Sequence, residues 1–163
     1  MKPSLLLFLS ALIILPVFSA SAQITNTLPG RSLVKMLPDY ARPVVYALNQ
    51  ANGSVPGTLL ALNATNGTII NEISVNLNPT DMAITPAGDF LYVINAGSRT
   101  ISKVDLSTFG VVAEKAISTP NTYSLSNPLY VVAPQSGPIY YTDGPGDRRF
   151  ICLILMPVRT CWS

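Results

Sequence analysis

The stretch Thr80-Asp81-Met82-Ala83-Ile84-Thr85-Pro86-Ala87-Gly88-Asp89-Phe90-Leu91-Tyr92-Val93-Ile94-Asn95, continued by Thr100-Ile101-Ser102-Lys103-Val104-Asp105-Leu106-Ser107-Thr108, decides the fold. Its apolar blocks are short and rich in β-branched and aromatic residues, which suit a pleated, half-buried surface. Pro86-Ala87-Gly88-Asp89 separates two of them as a tight turn, in which proline presets φ and glycine accepts a positive one. Phe90-Leu91-Tyr92-Val93-Ile94 is apolar on both faces of the strand it predicts. Such a hairpin cannot cover itself, so it needs a sheet on either side.

The same writing recurs. Tyr46-Ala47-Leu48-Asn49 lies 46 positions before Tyr92-Val93-Ile94-Asn95, and Thr58–Asn63 lies 42 before Thr100–Asp105; a longer loop, Gln50–Gly57, absorbs the difference. A third copy is read from Leu129-Tyr130-Val131-Val132-Ala133-Pro134 and Ile139-Tyr140-Tyr141-Thr142-Asp143, with Pro86 and Tyr92 both shifted by 48 and no gap. The predicted strands are Val44–Asn49, Thr58–Asn63, Thr68–Val75, Asp81–Thr85, Phe90–Asn95, Thr100–Leu106, Val111–Ile117, Leu129–Ala133 and Ile139–Thr142. No window carries helical periodicity over ten residues, so the chain reads as all-β. A period in the forties with four strands per unit fits propeller blades. The expectation is a partial β-propeller of about two to three four-stranded antiparallel blades.

Pro79, Pro86, Gly88, Tyr92, Val93, Asn95, Val104 and Asp105 also match the pattern of proline, small apolar pair, Pro/Gly turn, Leu-Tyr-Val-x-Asn and x-Val-Ser-x-x-Asp. Here the chain closely resembles the YVTN-type β-propeller repeat of surface-layer proteins and lactonase-like propellers. The resemblance is strong over Thr80–Ser118, moderate over Val44–Val75 and weak over Leu129–Asp143. Ala87 replaces an acidic turn residue, Asn76 a common glycine, and Ile94 the threonine of the repeat's name. The resemblance implies a scaffold, because similar propellers carry enzymes, haem sites, adhesion surfaces and sugar-binding modules.

Outside the repeats lie two ends. Residues 1–22 read as a secretory signal peptide: Lys2, an apolar run from Leu5 to Phe18, then Ala20-Ser21-Ala22. This predicts an exported chain, periplasmic, cell-surface or extracellular, with no stable membrane span after cleavage. Residues 23–41 read as a polar leader, 42–149 as incomplete blades and 150–163 as an atypical tail. Phe150–Pro157 is almost unbroken apolar sequence, so one expectation is that the chain leaves its repeat frame between Gly144 and Phe150 as the truncated front of a longer propeller. The other is that Phe150–Leu155 is a buried strand, with the ring completed across subunits. Cys152 and Cys161 would close only a small terminal loop if they pair.

With ten basic and eight acidic residues and no histidine, the chain offers no footprint for nucleic acid and no imidazole base. Asp81, Asp89, Asp105 and Asp143 are the carboxylates within the repeats, open to acid/base or calcium roles. Asp105 and its counterpart Asn63 stand at one strand end in two copies, which points to turn capping. Asp143-Gly144-Pro145-Gly146-Asp147 lacks the spacing of a calcium loop, and Arg148-Arg149 is too short a basic run for nucleic acid. Tyr40, Tyr46, Tyr92, Tyr130, Tyr140 and Tyr141 suit packing or a sugar-stacking surface. Sequons stand at Asn52, Asn63 and Asn66. The expectation is therefore a non-catalytic binding scaffold for a protein or polysaccharide, without cofactor, metal or assignable catalytic residues, and able to self-associate through exposed blade faces. The alternative is a piece of a lactonase-like hydrolase whose metal-assisted site lies in missing blades.

Overall fold

A computed structural model describes residues 27–51, 53–117, 128–143 and 150–153. Its strands are β1 (Leu33–Pro38), β2 (Val44–Asn49), β3 (Pro56–Asn63), β4 (Ile69–Leu77), β5 (Pro79–Ile84), β6 (Phe90–Asn95), β7 (Thr100–Asp105), β8 (Gly110–Ala116), β9 (Pro128–Val132), β10 (Ile139–Asp143) and β11 (Phe150–Leu153). They form two four-stranded antiparallel meanders, β1–β4 and β5–β8, and a three-stranded one, β9–β11. We call these blades 1, 2 and 3. The signal peptide, Asn52, the Gly144–Asp147 loop, Arg148-Arg149, Cys161 and the end of the tail lie outside the described residues.

Alternation along the strands sorts side chains into two inter-blade cores. Tyr46, Leu48, Leu59, Ala61 and Val75 of blade 1 meet Met82, Leu91, Val93, Val104 and Leu106 of blade 2. On the opposite face of blade 2, Tyr92, Ile94, Ile101 and Ile117 meet Val131, Ala133, Ile139 and Tyr141 of blade 3. Neighbouring residues of β6 thus belong to different cores, as a period of two requires. Each fully buried aliphatic or aromatic side chain contributes about 1.5–3 kcal/mol relative to exposure. Stacking rather than any single sheet therefore holds the chain together.

Two expectations change. The leader, residues 23–41, contains β1, which pairs with β2 and completes blade 1. Leu33-Val34-Lys35-Met36-Leu37 hides its strand character because apolar side chains sit on both faces, with Val34 and Met36 exposed. The third copy is not gap-free: Met82 pairs with Val93 but Val131 with Tyr141, so β9 is displaced from β5 by 49 while β10 is displaced from β6 by 48. Pro79 thereby corresponds to Pro128, not Pro86 to Pro134, and a one-residue slip exchanges the faces of the strand. The strand expected as one alternative for Phe150–Leu155 is present over Phe150–Leu153, antiparallel to β10 with Tyr140 opposite Cys152.

Tight approaches fix the blade junction. A Cβ on Gly57 of β3 would stand only 2.6 Å from Cδ of the buried Pro79 that opens β5. Glycine is needed there because one blade's strand touches the entry of the next.

Candidate functional site

The polar side chains first serve the repeat itself. Asn49 and Asn95 end equivalent strands β2 and β6, and each accepts a backbone amide through Oδ1: Asn49 from Ser32 N just before β1, at 2.8 Å, and Asn95 from Asn76 N near the end of β4 in the preceding blade, at 3.2 Å. Their Nδ2 groups donate to Thr58 and Thr100, again equivalent residues. Outer strands repeat a second clasp: Glu72 of β4 takes a bidentate bond from Arg31, and Glu114 of β8 accepts from Asn76 Nδ2. The sequence reading passed over Glu72 and Glu114, although Ile69-Ile70-Asn71-Glu72 and Val111-Val112-Ala113-Glu114 share the 42-residue shift.

Asp105 and Asn63 cap turns, as their shared position implied. Asp105 Oδ1 accepts from Ser107 Oγ at 2.6 Å and from the amides of Ser107 and Thr108, while Asn63 Oδ1 accepts from the Thr65 amide. The Ser107 hydroxyl, followed by these amides, holds the Asp105 carboxyl below its ordinary value.

Two residues that break the repeat fasten blade to blade. Arg42, in the β1–β2 turn, donates Nε to Asp39 at 2.6 Å and reaches across to the carbonyls of Gly88 (2.5 Å) and Leu106 (3.3 Å) in two turns of blade 2. Asp39 also accepts from the Ala41 amide and from the buried Tyr46 hydroxyl. Burial alone would raise Asp39, yet these donors together hold it below the usual carboxylate range. Burial and then Asp39 push the Tyr46 hydroxyl up to about 12.

On the innermost strands, Lys35, Asp81 and Tyr130 occupy one register position in three blades: Lys35 opposite Leu48, Asp81 opposite Ile94, Tyr130 opposite Thr142. The buried Asp81 takes Lys35 Nζ at 2.8 Å and the Val131 amide at 2.9 Å, so one carboxylate touches all three blades. The sequence flagged Asp81 but no signal named Lys35 as its partner.

Between blades 1 and 2 the rim opens into a cleft of about 290 Å³ lined by Arg42, Gly88, Asp89, Phe90, Asp105 and Ser107. It brings together the predicted Asp89 and Asp105; Asp81 lies away on the inner strands, and the side chain of Asp143 lies outside the described residues. Lys103 stands 3.6 Å above the Phe90 ring beside it. Tyr40, 91 % exposed, precedes Arg42 by two residues on the same turn. Among the described residues no group of three or more Cys, Asp or Glu side chains converges for a metal, and no helix is long and apolar enough to cross a membrane.

No protein-family model matches the chain, and no curated protein matches it. Solved structures do. Hydrazine synthase of Kuenenia stuttgartiensis superposes with a TM-score of 0.57 at 22 % identity, over 78 % of this chain and 33 % of that one. The β-propeller domain of Cps50 (Swd1) from Myceliophteria thermophila gives 0.56 at 11 % identity, over 83 % and 43 %. The fold is a partial β-propeller. The chain spans less than half the length of either of these two structures.

Proposed function

We propose that this propeller is an exported binding scaffold of YVTN type whose rim cleft takes a hydroxyl-rich ligand, a polysaccharide, without turning it over. The YVTN assignment draws support from Asn49 and Asn95, equivalent motif residues that accept the backbone amides of Ser32, before β1, and Asn76, near the end of β4. Export rests on the signal-like residues 1–22. The observation that carries the scaffold reading is the use of the carboxylates. Asp39, Glu72, Asp81 and Asp105 each accept from the chain's own donors, in turns, within a blade or between blades. Carboxylates engaged in this way support a scaffold. At the cleft the Asp105 carboxylate is an acceptor for sugar hydroxyls, and the exposed Tyr40, two residues before Arg42 in the chain, offers an aromatic face for stacking.

The test is titration of the intact chain with a panel of neutral and acidic polysaccharides, with lactone hydrolysis followed in parallel with added calcium. Saturable binding weakened about tenfold or more in Tyr40→Ala, with no lactone opened, is the expected result. Metal-dependent lactone hydrolysis overturns the non-catalytic reading. A folded chain that ignores every polysaccharide overturns the glycan ligand and leaves a protein partner. N-terminal sequencing of the exported product, expected to start at Gln23, tests the route.

A further inference from the structure

The chain entering blade 2 is seated on that blade by three contacts. Ile73 and Val75 of β4 pack with Leu91, Val93 and Val104. Asn76 follows, its amide on Asn95 Oδ1 and its side chain on Glu114 at 2.8 Å. The Asn78 carbonyl then accepts from the Ala96 amide at 2.9 Å, and β5 begins.

Blade 1 carries the same seat. By the 46- and 42-residue shifts, Val45, Ala47 and Leu62 are the equivalents of Leu91, Val93 and Val104, and Glu72 is the equivalent of Glu114. The segment just before β1 fills it. Leu28 packs with Val45 on the buried Ala47, Leu60 and Leu62. Arg31 gives Glu72 its bidentate bond at 2.5 and 2.8 Å and reaches Thr58 Oγ1 at 3.3 Å. The Ser32 amide lies on Asn49 Oδ1 and its carbonyl accepts from the Gln50 amide, both at 2.8 Å, as Asn76 and Asn78 do one blade later. The occupant differs in form. Where blade 2 receives the end of a strand, blade 1 receives a turn: the Arg31 amide donates to the Leu28 carbonyl at 3.3 Å around Pro29-Gly30, with Gly30 at φ 74°. Proline and then glycine suit a type II turn, so Leu28 and Arg31 are aimed before they dock.

We propose that Leu28-Pro29-Gly30-Arg31 is a plug, a preformed turn with which the chain occupies its own docking seat on blade 1. The seat recognises an aliphatic side chain and, three residues later, an arginine whose planar fork matches a carboxylate. Attachment to β1 gives the plug a high effective concentration, so it excludes the same segment offered from outside. The inference concerns the back of blade 1 and is independent of what the rim cleft binds.

The experiment uses the full chain, trypsin, and a fluorescent peptide of residues 24–32. With the plug seated, cleavage after Arg31 is slow and the peptide finds the seat full. Leu28→Asp should eject the plug: cleavage after Arg31 rises about tenfold or more, and the peptide binds about tenfold or more tighter than it binds the unaltered chain. Leu28 belongs to neither inter-blade core, and near-ultraviolet circular dichroism checks that the fold is kept. Glu72→Ala, at a partly exposed side chain, repeats the cleavage test independently. It should release Arg31 yet fail to capture the peptide, because the seat has lost its acceptor. Cleavage as slow in the folded variants as in the unaltered chain overturns the proposal. So does peptide binding that is equal in all three chains or absent from all of them.

Discussion

The two junctions of blade 2 are built from different materials. Toward blade 1 the apolar core is overlaid by charge: Arg42 spans to the Gly88 and Leu106 carbonyls, and Lys35 to Asp81. Toward blade 3 a second apolar core is joined by the bond from the Val131 amide to Asp81. The repeat supplies the apolar faces of both junctions. Departures from the repeat, Lys35 and Arg42, supply the fastenings of one. A stack can therefore be general in its core and individual in its pins.

The largest effects should come from the cores. Leu91→Ala empties the first junction and Ile101→Ala the second; both side chains are fully buried, and each loss should cost about 2–5 kcal/mol in denaturant unfolding. If the junctions are equivalent in their cores, the two values agree within about 1 kcal/mol, because the chemistry lost is similar. Next comes Asp81→Ala, expected at about 2 kcal/mol, since it strands the buried Val131 amide and releases Lys35. It should loosen both junctions, seen as faster hydrogen exchange in β1 and in β9. Arg42→Met should cost about 1–2 kcal/mol and loosen only the first.

Acid and alkali sharpen the contrast further. Asp39 and Glu72 have folded affinities below their unfolded ones, so their stabilisation is full above the unfolded value, about pH 4, and is lost as pH falls through the folded value. Both lie in blade 1, so acid should open that blade's clasps first, followed by hydrogen exchange at decreasing pH. Tyr46 has the opposite sign for a rising pH. Its proton is retained to about 12, so stability is intact below pH 10 and declines between 10 and about 12. Tyr46→Phe should flatten that alkaline decline.

Much of this was legible from residues. Val44–Asn49 and Phe90–Asn95 are strands with the expected bounds, because turns with proline, glycine or asparagine delimit them. The capping of Asp105 and Asn63 followed from their shared position. β1 was missed because its apolar residues do not alternate with polar ones. The slip of β9 was missed because two nearby prolines, Pro128 and Pro134, offer two alignments, and only hydrogen-bond register separates them. The Lys35–Asp81 and Arg42–Gly88 contacts join residues 46 apart whose partners differ from copy to copy. No repeat pattern can announce a contact that occurs once.

The central claim is that blade 2 is covered on both faces while blade 3 is covered on one. Hydrogen exchange measures it directly. The account predicts slow amides in β6 and β7 and faster exchange in β10. Protection of β10 equal to that of β6 would contradict it, as would β6 exchanging as fast as β1.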